Sequence, residues 1–162
     1  MPSERRDVTA GMPRRRMAAG LLITDADERV LLVEPVYKAS WEIPGGYVET
    51  DESPYQAAIR ERREELGLDL APGRLLVVDW VPACAGRAEG VMVVYDGGTL
   101  EPRVHERIVV PPGELKGWAF SDPPEAAQRL PPLLTRRITE ALHARADGCS
   151  YYLGDGVRVT RP

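Results

Sequence analysis

Apolar residues run unbroken from Met17 to Ile23 in the stretch MAAGLLIT, and they return between Arg29 and Val33. Short continuous runs of this kind read as strands covered on both faces. Asp25-Ala26-Asp27 between them reads as the turn of a hairpin. Leu75 to Val81 and Val91 to Tyr95 are β-branched and apolar, so they are two further strands joined by a loop over 82–90, and Glu114 to Phe120 is another. Residues 97–113 carry Gly97-Gly98, Pro102, Pro111-Pro112 and Gly113 and read as one long loop.

Elsewhere the period changes to that of a helix. Ser53, Pro54 and Gln56 form an N-cap, a first-turn proline and a capping-box partner, which starts a helix at Pro54, and Gly67 stops it. Tyr55, Ile59 and Leu66 are expected to face the core. Asp122 caps a short helix that Pro131-Pro132 ends, and Leu134, Ile138, Ala141 and Leu142 form the inward stripe of a last helix up to Gly148. Tyr151 to Thr160, with Gly-Asp-Gly at its centre, reads as a terminal hairpin. The chain therefore divides into a disordered, Arg-rich tail (1–15), one α/β domain (16–148) and a C-terminal hairpin extension (149–162), with Met12 and Met17 as alternative starts.

The first helix carries the chemistry. Glu61, Glu64 and Glu65 stand at i, i+3 and i+4, which places three carboxylates on one face within a turn. A solvated charged face normally follows Glu with Lys or Arg four residues on, but Glu61 is followed by Glu65, a repulsive pair that a cation would relieve. Hard divalent cations such as Mg²⁺ take such oxygen ligands together with substrate phosphates. Upstream, Trp41-Glu42-Ile43-Pro44-Gly45-Gly46 reads as a glycine turn in which main chain can approach a metal or phosphate.

Gly46, Glu52, Arg60, Glu61, Glu64, Glu65, Gly67 and Leu68 resemble the Nudix box in residue type and spacing, and the WxxPGG lead-in is similar to that of Nudix proteins. Seven such residues at about 7% usage each would coincide by chance on the order of once in 10⁸ start positions. The resemblance implies a Nudix-type α/β/α sandwich, a mixed sheet between helices. It further implies hydrolysis of a nucleoside diphosphate linked to another group, with Mg²⁺ (or Mn²⁺) held by Glu61, Glu64, Glu65 and the Gly45 carbonyl. Glu52 and Arg60 would pair and orient those ligands, and a fourth carboxylate, Glu114 ahead of Glu106, would be the general base. Pro82, fourteen residues beyond Leu68, favours ADP-ribose-like sugars slightly over nucleoside triphosphates. The rival reading is a Nudix-like ligand sensor without catalysis, for which loss of the metal carboxylates would be the mark.

Arg62 departs from the box, where an aliphatic residue is expected. On the core side of the helix its head should reach an acid, a homodimer contact being one place for it. The remaining composition excludes more than it adds. A net charge of −4 over 162 residues offers no basic face for duplex nucleic acid. No apolar run approaches a membrane span. Arg14-Arg15-Arg16 before MAAGLLIT imitates a signal peptide, but Asp25, Asp27 and Glu28 stand where a cleavage site belongs. Two distant cysteines, Cys84 and Cys149, indicate a reducing compartment, so a cytoplasmic location is expected, and the resemblance implies that the partner there is a small nucleotide. His105 and His143 are expected to be solvated. Trp41, Trp80, Tyr95 and Trp118 are expected to pack in the core, with nucleobase stacking as the alternative.

Overall fold

The computed structural model describes residues 7–160, so the tail expected over 1–15 and the end of the expected extension fall partly outside them. Strands β1 (Arg16–Thr24), β2 (Val30–Pro35) and β3 (Gly45–Tyr47) precede helix α1 (Pro54–Leu66). Strands β4 (Leu75–Val81) and β5 (Gly90–Thr99), the short helix α2 (Pro102–His105) and strand β6 (Leu115–Ser121) follow. Helices α3 (Pro123–Arg129) and α4 (Pro132–Ala146) and the hairpin strands β7 (Tyr151–Gly154) and β8 (Val157–Arg158) complete the order. The strands form one eight-stranded mixed sheet, β6-β2-β1-β5-β4-β7-β8, with β3 beside β1.

The unbroken apolar run of β1 is explained by this layering. Ala19, Leu21 and Ile23 pack with Ala57, Ala58 and Leu66 of α1, whereas Leu22 packs on the other face with Ile138, Ala141 and Ala144 of α4. A strand sandwiched between helices needs apolar residues on both faces, and the α/β/α sandwich follows. No helix among the described residues is long and apolar enough to cross a membrane.

Helix α1 forms as its ends dictate. Ser53 Oγ accepts from the Gln56 N–H, Gln56 returns a bond to the Ser53 N–H, and Gly67 closes the helix in the left-handed conformation at φ 66°. Its inward face differs from the expected one: Ala57, Ala58, Arg62 and Leu66 are buried, Ile59 is half-buried and Tyr55 is exposed. Small alanines let the helix lie close to β1.

Three other expectations are corrected by long-range pairing. The first two strands meet only at Thr24 and Val30, because β1 is taken up by β3 and by parallel β5, and β2 runs antiparallel to β6. Gly45-Gly46 is strand β3 rather than a turn, and a Cβ on Gly45 would overlap the Ala19 carbonyl. Strand β5 continues through Gly97-Gly98 to Thr99 with a bulge opposite Leu22 and Ile23, so the long loop is shorter than it reads and contains α2. The terminal hairpin forms as expected from β7 and β8, and β7 also pairs in parallel with β4.

Arg62 reaches no acid among the described residues. It is 1% exposed, and its guanidinium donates to the carbonyls of Leu70 at 2.7 Å, Ala71 at 3.4 Å and Gly97 at 2.8 Å, while Nε has no partner among the described residues. It ties the loop that follows α1 to the bulged end of β5. Burial shifts its pKa down from the usual value.

Candidate active site

Arg60 is the hub of the acidic face. Its Nε and Nη2 bind the two oxygens of Glu52 at 2.9 and 3.0 Å, Nη2 also binds the Tyr47 carbonyl at 3.0 Å, and Nη1 binds Glu61 at 2.7 Å and Glu64 at 3.0 Å. Such a fork fixes the guanidinium plane, so the loop before α1, strand β3 and the helix face are held by one side chain. Glu65 turns to the sheet instead and accepts the Gly45 N–H at 2.8 Å. Gly46 lies so close to the Glu61 carboxylate that a Cβ there would occupy its place.

The electrostatics follow from the crowding. Desolvation and the neighbouring charges of Glu61, Glu42 and Glu114 push the Glu65 carboxyl up to about 8, against the single opposing bond from Gly45. Glu61 is also raised, first by desolvation, with Arg60 opposing and Glu64 and Glu114 adding to the rise. Glu52, half-buried, is lowered by its bonds from Arg60 and from the Glu49 N–H. Partly buried like charges whose pKa values rise together are the signature of a site short of positive charge. As they stand, no three acidic, His or Cys side chains among the described residues are grouped to hold a metal ion, since Arg60 engages Glu61 and Glu64 and Gly45 engages Glu65. The donor set fits a hard divalent cation chemically, and these acids would exchange their present partners for it.

Glu114 is exposed just ahead of β6, anchored by its carbonyl accepting the Val36 N–H at 2.9 Å, and its charge is felt at both Glu61 and Glu65. Glu106 ends α2 on an exposed surface and is not among the charges acting on them. Sequence reasoning missed Glu42. It acts on Glu65 and is bound by the Tyr37 hydroxyl and Lys38, at 2.7 and 2.8 Å. The WEIPGG segment was the available signal, read for its glycines alone.

Beside the carboxylates lies a cavity of about 590 Å³, running from Glu42, Gly45, Gly46 and Tyr47 along β1 and β5 to the start of α4. None of Trp41, Trp80, Tyr95 and Trp118 lines it, nor does Pro82. Tyr95 meets Tyr55 edge-on at 5.4 Å, and Trp41 carries the Arg129 guanidinium at 4.7 Å. His105, expected in solvent, packs on Phe120 at 4.6 Å and bonds the Leu100 carbonyl, whereas His143 is exposed. A second hollow of similar volume at Thr24–Glu28 has no part in this arrangement, because Asp25 there is occupied by Asp27, Arg29 and their turn.

Comparison with known proteins agrees with this geometry. The family model described as NUDIX domain matches residues 14–142. An RNA pyrophosphohydrolase of Hydrogenovibrio crunogenus is 25% identical over 126 residues, 66% of this chain and 73% of that protein. A CTP pyrophosphohydrolase of Escherichia coli is 42% identical over 98 residues, 54% of this chain and 69% of that protein. Among solved structures, a MutT Nudix hydrolase from Burkholderia pseudomallei superposes with a TM-score of 0.63 at 27% identity, covering 79% of this chain and 98% of that one.

Proposed function

The chain belongs to the Nudix family, whose hydrolases act on phosphorus anhydrides and generally use divalent metal ions, and from that premise we propose that it is a Mg²⁺-dependent pyrophosphohydrolase of small nucleotides, cleaving a nucleoside diphosphate linked to a further group. The observation that carries this reading is the acidic face of α1, crowded and raised in pKa beside a cavity of nucleotide size.

Glu61, Glu64 and Glu65, with the Gly45 carbonyl, would hold the cation, which when bound neutralises phosphate charge and lowers the pKa of the attacking water. The other roles belong to the protein. Glu52 fixes Arg60, and Arg60 keeps Glu61 and Glu64 on one side of the helix, so the ligands are aligned before substrate arrives. Glu114 takes the proton of the attacking water, from an exposed position that can approach the diphosphate as substrate seats. Strand β3 keeps the main chain at Gly45 and Gly46 against the carboxylates, with no side chain in the way of a phosphate.

The test is product analysis on a panel of nucleoside triphosphates and nucleoside-diphosphate sugars, with Mg²⁺, with Mn²⁺ and with chelator. Release of a nucleoside monophosphate or diphosphate product that stops with chelator is expected. Tight nucleotide binding with no turnover across the panel would instead establish a sensor.

A further inference from the structure

At the α4 end of the cavity, away from the carboxylates, a lining guanidinium is held along one edge only. Arg137 of α4 is 9% exposed and lines the cavity. Its Nε donates to Asp79 Oδ2 at 2.7 Å, and neither Nη atom has a hydrogen-bond partner among the described residues. Asp79, 0% exposed on β4, is fully occupied, because its other oxygen accepts the Gly156 N–H of the terminal hairpin at 3.0 Å. The clamp therefore fixes one edge of the guanidinium and leaves the fork end bare. Both Nη groups are open to the cavity rather than buried in protein, so a ligand with matching acceptors would take the place of water on a guanidinium already held in position.

The position of this fork defines which part of a nucleotide it meets. Gly45 pairs with Gly20, Gly20 with Val94 and Val94 with Val77, two residues before Asp79 on the same face of β4. Three strand steps at about 4.8 Å separate the glycine beside the carboxylates from the strand that anchors Arg137, roughly 14 Å. Phosphates belong at the acidic end, where a cation can bridge them. The apolar lining of the cavity includes Val81, Met92, Val94, Pro132 and Leu134, and Arg16, Lys38 and Arg87 are its other cationic side chains. Apolar walls with a clamped polar group among them suit a planar base.

An arginine fork only donates, so it is satisfied in full by two adjacent acceptors. Guanine offers N7 and O6, and cytosine offers N3 and O2. Adenine sets an amino donor beside N7 and beside N1, and uracil sets the N3 proton beside each carbonyl. We propose that Arg137, clamped by Asp79, reads the base of the substrate and selects guanine or cytosine nucleotides over those of adenine and uracil. This rests on the nucleotide-hydrolase reading above and specifies its substrate class.

Steady-state kinetics with GTP, CTP, ATP and UTP, and with the four matching nucleoside-diphosphate glucoses, test it in the wild-type chain. The better of the guanine and cytosine substrates should exceed both adenine and uracil counterparts by about tenfold or more in kcat/KM. Arg137→Lys keeps a cation against Asp79 but loses the fork, and Arg137→Gln loses both; each should narrow that difference through KM. Arg137→Lys guards against a Gln variant that leaves buried Asp79 unpaired and fails to fold. Equal rates across the four bases, or a preference for ATP or UTP, would overturn the proposal. So would an Arg137→Lys variant that weakens all four equally, which marks a phosphate contact or a purely structural ion pair. Calorimetry with α,β-methylene triphosphates in the absence of metal reads the same order without catalysis. That order without any turnover would refute the hydrolase reading and keep the base reading, and turnover without that order would do the reverse.

Discussion

Replacing Glu65 by Gln removes the most strongly raised acid of the site, and the consequence for stability can be worked out with its sign. In the folded chain the Glu65 carboxyl titrates near 8 instead of 4.5. Between those values the folded state keeps a proton that the unfolded chain has released, so stability falls as pH rises through this window and the loss is complete above it. At about 1.4 kcal/mol per unit, discounted for a side chain that is only half-buried, the loss is on the order of 3–5 kcal/mol. For a domain of this size that corresponds to about 10 °C in Tm. Thermal unfolding of metal-free protein at pH 5 and pH 8.5, followed by circular dichroism, should show wild-type Tm dropping by roughly this much more than Glu65→Gln. Adding Mg²⁺ at pH 8.5 should restore wild type and leave the variant nearly where it was. Parallel pH dependences in the two proteins would show that Glu65 is not desolvated and would undo the crowding argument.

Glu64→Gln should lower kcat by several orders of magnitude with the far-ultraviolet spectrum unchanged, and near wild-type turnover at saturating Mg²⁺ would remove Glu64 from the metal site. Glu114→Gln should cut kcat by roughly 10²–10⁴ with little change in KM and flatten the acid limb of the pH–rate profile, while Glu106→Gln should match wild type. Gly46→Ala should depress activity sharply by displacing the Glu61 carboxylate, read as a raised Mg²⁺ requirement. Arg62→Leu, which a partner acid would have made neutral, should instead cost about 2–4 kcal/mol in urea unfolding, because it strands the carbonyls of Leu70, Ala71 and Gly97; a variant as stable as wild type would show that water replaces the guanidinium there.

What could be read from the sequence was local. The Ser53 capping box, the Gly67 stop and the Asp122 cap lie within a few residues of the backbone they satisfy, and the structure contains each of them. The carboxylate face of α1 is likewise a matter of spacing along one helix. What escaped was set by partners far away in the chain. Arg62 bonds Gly97, 35 residues on, and Arg137 bonds Asp79, 58 residues back. A charged residue inside an apolar helical stripe announces a partner but not its identity. Gly97-Gly98 looks like a breaker until the parallel pairing with β1 carries the strand through it. His105 reads as solvated because nothing near it in sequence foretells the rings of β6.

Arg60 makes the acidic face a shared account of hydrogen bonds among Glu52, Glu61 and Glu64. Charge variants at these three positions will therefore not behave as independent perturbations. Deleting one acid releases donors that redistribute to the other two, so each single substitution reports the rearranged trio as well as the missing group. Thermodynamic cycles pairing Glu52 with Glu64, residues with no direct bond to each other, should show a coupling transmitted by the guanidinium between them, and that coupling should vanish in an Arg60→Met background.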